Sequence, residues 1–248
     1  MPAQCGVILA CCISACIMSS CCCCCCKRRV CAELDRELVA GQPVTYSDRR
    51  RLPYVEAVVL EAMRLAPVVP LALPRYTDVD VDVSSTATTT TTTTGEQRQL
   101  TIPAGSVVIA NLWSVGRDPD VWDDDADVFR PERFLRESER VPPSDRARSH
   151  PLVTDRNDDK LDSAEYDAGQ DLSLVVDGRL VESFYPFSFG ARRCVGESLG
   201  RLQIFVFFAT IMRSCRLLPV DGKPPPTDAE TYGDVIRPAP YEIRIVPR

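Results

Sequence analysis

Apolar and polar positions divide the chain into stretches of very different character. From Ala3 to Cys26 there is no charge and little polarity, and Lys27, Arg28 and Arg29 follow at once. Ala32 to Val39 carries a short helical pattern, which Gly41 and Pro43 break. A stronger helix is predicted from Pro53, a residue suited to a first helical turn, because Val55, Val58, Val59 and Ala62 recur at three- and four-residue steps. Val79 to Val83 alternates strictly, as a half-buried strand does, and Leu100-Thr101-Ile102 supplies a hairpin partner. Pro103-Ala104-Gly105 then turns the chain into Val107-Val108-Ile109-Ala110, which reads as a buried strand. The threonine run from Thr86 to Thr94 expands the hairpin, so 84–96 is read as a low-complexity loop. Leu135 to Phe184 is polar, acidic and short of aromatics, and 137–170 is expected to be a disordered insertion that contains His150. From Gly196 to Met212 the pattern is apolar almost all round, which predicts a buried helix too short and too close to Arg201 and Arg213 to span a bilayer. Tyr241 to Val246 alternates as a terminal strand. The fold class is mainly α with small β-sheets, an α+β arrangement.

Composition changes this picture in two places. The net charge of −6 excludes a nucleic-acid surface, since no basic stripe stands out beyond short arginine clusters. Eleven of the 13 cysteines lie within the first 31 residues, with Cys21 to Cys26 consecutive and no spaced pairing pattern, so they do not form a disulfide framework. Only Cys194 and Cys215 remain, which fits a reducing compartment. Residues 1–31 therefore form a Cys-rich apolar segment distinct from 32–248. Three readings of it stand: a membrane anchor with basic residues on its cytosolic side, a palmitoylated cytosolic segment, and translated repeat sequence.

Chemistry concentrates in Phe187-Ser188-Phe189-Gly190-Ala191-Arg192-Arg193-Cys194-Val195-Gly196. Two glycines give the backbone a tight path, two arginines put positive charge beside a thiol, and an apolar helix follows. Helix N-termini and nearby cations both favour a thiolate, the form that binds metal. A lone cysteine before a helix is more often a small buried hydrophobe. A structural zinc site would need four ligands, and neither a second histidine nor a Cys-x-x-Cys unit near Cys194 is available.

The stretch resembles the haem-binding signature of cytochrome P450, Phe-x-x-Gly-x-Arg-x-Cys-x-Gly, with Phe187, Gly190, Arg192, Cys194 and Gly196 at its five fixed positions. Further likenesses follow in the family's order. Glu61-Ala62-Met63-Arg64 resembles its Glu-x-x-Arg motif, and Pro131-Glu132-Arg133-Phe134 its Pro-x-Arg-Phe segment. The stretch from Val68 to Arg75 is similar to the strand after Glu-x-x-Arg in the animal microsomal branch, which includes steroid and xenobiotic hydroxylases.

The resemblance implies the haem-proximal, C-terminal half of a P450 fold. By it, Cys194 is the axial thiolate of haem b, Arg192 and Arg75 pair with propionates, and Phe187 packs near the sulfur. Glu61, Arg64 and Arg133 would be a structural ion triad, and Val69, Leu71 and Leu73 would approach an apolar substrate. It further implies NADPH-cytochrome P450 reductase and cytochrome b5 as partners, at the cytosolic face of the endoplasmic reticulum membrane. The family's distal helix carries an Ala-Gly-x-x-Thr-like segment that this sequence does not contain, so no catalytic residue is assigned. A haem-thiolate monooxygenase, a haem-thiolate isomerase and an inactive haem-binding remnant all remain open at this point.

Overall fold

The helix expected from Pro53 runs Pro53–Leu65 (α2) in the computed structural model, which describes residues 23–84, 99–137, 174–220, 229–232, 235–238 and 242–248. Every residue from Tyr54 to Arg64 is buried, so α2 is the axis around which the remainder packs. Two further long helices lie against it and against each other, Cys23–Glu37 (α1) and Glu197–Ser214 (α3). Val30 and Leu34 of α1 and Ile204, Phe205, Phe208, Ala209 and Met212 of α3 complete the core with Leu52 and the apolar positions of α2. A second aromatic layer, Trp122, Phe134 and Phe184, closes the same core, with ring centres 5.6 to 6.2 Å apart.

Helix α1 begins at Cys23 rather than Ala32, and Cys26 and Val30 are buried, so the end of the cysteine run belongs to the helical core. Among the described residues no helix is long and apolar enough to cross a membrane. The first 22 residues, the threonine run and His150 lie outside the described residues.

The strands pair as five two-stranded antiparallel sheets among the described residues. Arg75–Tyr76 (β1) pairs with Val107–Val108 (β4), and Val81–Ser84 (β2) with Gln99–Ile102 (β3), the hairpin the alternation predicted. Leu135–Glu137 (β5) pairs with Leu174–Val176 (β6), which places Glu137 in a strand opposite Leu174 rather than in the expected insertion; 138–173 lies outside the described residues. Cys215–Pro219 (β7) pairs with the terminal strand Ile243–Pro247 (β10), and Ala229–Tyr232 (β8) with Val235–Pro238 (β9).

Two expectations of burial fail for one reason. The stretch 107–110 is not a buried strand: Val107 is 64% exposed and Ile109 also lies open. Helix α3 is buried on only one stripe, with Leu199, Leu202 and Phe207 on its exposed side. Both segments are apolar on faces that no described element covers, so periodicity reads the apolar content correctly and the partner wrongly.

The N-terminus of α2 has no side-chain cap of its own, since Leu52 stands at the N-cap position. Its free N–H groups are met from α1, where the two carboxylate oxygens of Glu33 accept from Tyr54 N at 3.0 Å and Val55 N at 2.9 Å. Burial pushes the Glu33 carboxyl from the usual 4.5 up to about 7, against the opposing pull of those two N–H groups. A carboxyl raised in the folded state stabilises fully below its unfolded value and loses that contribution as pH climbs through the folded one. Stability is therefore expected to fall by on the order of 3 kcal/mol between pH 4.5 and 8 on this account. Glu56, buried and likewise pushed up by burial, acts in the same direction. Urea denaturation across that range checks it: Glu33→Gln should flatten the profile, and an unchanged slope would refute the assignment.

Candidate functional site

The stretch around Cys194 folds as a closed loop. Cys194 N donates to Phe187 O at 2.9 Å, and Ser188 N donates to Tyr185 O at 3.0 Å with Ser188 in the left-handed region at φ 65°. Gly190, at φ 71° and with nothing within 4 Å of an added Cβ, opens the single 3-10 turn Gly190–Arg192, which Arg193 N closes on Gly190 O at 3.1 Å. Glu197 N then donates to Cys194 O at 3.2 Å, and α3 starts with Gly196 as its N-cap. The loop delivers a half-buried thiol at the head of the helix, and Phe189 (62% exposed) and Val195 (95% exposed) of the same loop are open.

Arg75 reaches this loop from β1. Its Nη2 donates to Ser188 Oγ at 3.3 Å and to Arg192 O at 3.1 Å, so one guanidinium spans the turn that carries Arg192. Arg192 is exposed on that turn. Leu71 and Leu73, on the segment entering β1, are open to solvent, whereas Val69 is half-buried and packs on the core.

Glu61, Arg64 and Arg133 meet in the interior. Arg64 Nε and Nη2 donate to the two Glu61 carboxylate oxygens at 2.7 and 2.8 Å, and Arg133 Nε donates to Oε1 at 3.1 Å. Arg130 N also donates to Oε1, at 2.8 Å. The remaining guanidinium protons go to carbonyl oxygens of the segment between α2 and β5: Arg64 to Gly116, Ala126 and Val128, and Arg133 to Trp122, Asp125 and Val128. Gly116 is required there, because an added Cβ would lie 2.6 Å from Arg64 O.

Several participants carried no sequence signal. Asp125 holds Arg133 through Oδ1 at 3.2 Å and Arg130 through Oδ2 at 2.7 Å. Glu132 accepts from Tyr54 Oη at 3.1 Å and from Arg29, whose guanidinium lies 4.3 Å from the centre of the Tyr54 ring. These contacts join α1 and α2 to the Pro131–Phe134 turn. Arg117 Nη2 donates to Leu65 O at 2.7 Å and so caps the other end of α2.

The arrangement is suited to haem by its own chemistry. A half-buried thiol stands at the head of α3 on a loop whose Phe189 and Val195 are exposed and apolar, and Arg75 grips that loop at Ser188 and Arg192. A flat apolar macrocycle with two carboxylates matches that combination, and a hydrated metal ion does not.

The cytochrome P450 family profile matches residues 26–245. Steroid 21-hydroxylase of Bos taurus is 34% identical over 227 residues, which is 90% of this chain and 34% of that protein. Cytochrome P450 2U1 of Bos taurus is 31% identical over 225 residues, again 90% of this chain and 31% of that protein. A solved zebra fish cytochrome P450 with abiraterone superposes with a TM-score of 0.68 at 25% identity, covering 99% of this chain and 44% of the other. The chain spans about a third of the length of the curated relatives it matches. With the profile running from the end of the cysteine run into the last strand, this chain belongs to the cytochrome P450 family.

Proposed function

We propose that the chain is the haem-proximal part of a haem-thiolate monooxygenase acting on an apolar substrate of the steroid, lipid or xenobiotic kind. The observation that carries this is the closed loop that holds a half-buried Cys194 next to the exposed Val195, with Arg75 bound across the loop. Cys194 would be the axial ligand, Arg75 and Arg192 would meet the propionates, and Gly190 leaves space for a close approach because nothing lies within 4 Å of its missing Cβ. When bound, haem with a thiolate ligand supplies reductive activation of O2, with thiolate donation favouring O–O cleavage. The chain's own contribution is to hold the sulfur and bind the carboxylates. Glu61, Arg64 and Arg133 would act by fixing α2, from which β1 and Arg75 follow.

A lipophilic substrate is supported by the relative named steroid 21-hydroxylase and by the open side chains of Leu71 and Leu73. NADPH-cytochrome P450 reductase, with cytochrome b5 as a second donor, fits the need for electrons from outside the chain. A place at the cytosolic face of the endoplasmic reticulum membrane is what the resemblance of Val68 to Arg75 to the animal microsomal branch implies.

Titration with haem tests the reading. One haem per chain is expected, with Arg75→Ala weakening uptake roughly tenfold, the size of one charge-assisted hydrogen bond. This polypeptide of 248 residues carries no Ala-Gly-x-x-Thr-like segment to deliver protons. Supplied alone with reductase, NADPH and a panel of steroids, it is expected to give no coupled product above a free-haem control. Haem uptake indifferent to Arg75, or coupled Cys194-dependent turnover, would count against these two statements respectively.

A further inference from the structure

Arg201 lies on α3, and neither the sequence motif nor the proposed haem contacts use it. Its guanidinium carbon is 5.3 Å from the centre of the Phe187 ring. Its Nε donates to Glu197 Oε1 at 2.9 Å, and its side chain is only 11% exposed. Nη1 is buried without a hydrogen-bond partner among the described residues. An interior N–H with no acceptor is destabilising, and an aromatic face is a surface that attracts a cation without one. Arg201 also acts on α2: Glu56 there is pushed up by burial, and Arg49 and then Arg201 pull it back.

Phe187 is the residue whose carbonyl accepts from Cys194 N at 2.9 Å. A cation under its ring therefore acts on the backbone bond that closes the loop. The loop is gripped twice, by Arg75 at Ser188 and Arg192 and by Arg201 at Phe187.

We propose that Arg201 is a positioning residue for Cys194, holding Phe187 by its charge and so fixing the angle at which the thiol leaves the loop. The identity of the ligand rests on the haem-thiolate reading above, whereas the clamp itself does not. The experiment compares the full chain with Arg201→Met, which keeps the apolar stem, and Arg201→Lys, which keeps the charge. Hydrogen exchange at the Cys194 amide should be roughly tenfold faster in Arg201→Met and largely restored in Arg201→Lys, the size of a half-buried cation–π contact. Core amides of α2 such as Val58 should not change. After haem addition, the carbon monoxide complex of Arg201→Met should shift part of its Soret intensity from the thiolate band to that of a neutral ligand, and Arg201→Lys should not.

Equal exchange in all three proteins, or a rise shared equally by Val58, would overturn the clamp whatever haem does. Loss of the clamp in Arg201→Met with rescue by lysine, but no thiolate spectrum even in the unchanged chain, would keep the clamp and overturn the haem reading instead.

Discussion

Glu61→Ala is expected to destabilise the chain by about 3–5 kcal/mol, the cost of leaving buried charge uncompensated. Total stability for a domain is typically about 5–15 kcal/mol, so the variant should be largely unfolded at moderate temperature. The reason is the closeness of the network. Glu61 is wholly buried and accepts from Arg64 twice, from Arg133 and from Arg130 N. Its removal leaves Arg64 with carbonyl oxygens that can bond its protons but cannot balance its charge, and Arg133 with the partly exposed Asp125 carboxylate as its remaining counter-charge. Glu61→Gln keeps the shape and one acceptor, and should fall between. Because the three residues share one carboxylate, their effects should not add: Glu61→Ala combined with Arg133→Ala should cost well under the sum of the two. Denaturant melts of the four proteins decide this. A loss below about 1 kcal/mol for Glu61→Ala, the range of a surface pair, would mean that the triad is not the buried unit described.

The triad also marks how far the sequence could be read. Helical spacing made Glu61 and Arg64 neighbours, but only the resemblance to the family's Glu-x-x-Arg and Pro-x-Arg-Phe motifs marked them out and brought in Arg133. The carbonyl oxygens of Gly116, Ala126 and Val128 were not legible, since any residue type supplies a carbonyl and only the chain path decides which ones converge. Glu33 was hidden in the same way. An acid on a charged helix normally faces water, and its capture of two N–H groups of α2 depends on how α1 and α2 cross. The loop from Phe187 to Gly196 was readable as a unit through its glycines and paired arginines. Arg201 was not, because an arginine four residues after Glu197 reads first as an ordinary helical ion pair. Val107 and Leu199 misled for the opposite reason: they are apolar, and periodicity alone cannot reveal that nothing described lies over them.

The second large effect is expected at Cys194. No other described cysteine lies on the loop: Cys26 and Cys31 sit on α1, and Cys215 starts β7. Cys194→Ala leaves the loop's hydrogen bonds possible, because the bonds to Phe187 O and from Glu197 N use the backbone of residue 194. The variant should therefore keep its helical content and stability within about 1 kcal/mol, since a half-exposed thiol buries little apolar area. What it should lose is thiolate ligation, completely. That separation of folding from ligation distinguishes a ligand from a small packing residue, whose removal would act on stability alone.

The most direct measurement is the absorption spectrum of the purified chain after addition of haem, reduction and exposure to carbon monoxide, taken beside that of Cys194→Ala. The account predicts the red-shifted Soret band of a thiolate-ligated haem in the first and only the band of a neutral or weak axial ligand in the second. A red-shifted band that persists in Cys194→Ala, or is missing from the folded, haem-loaded chain, would contradict it.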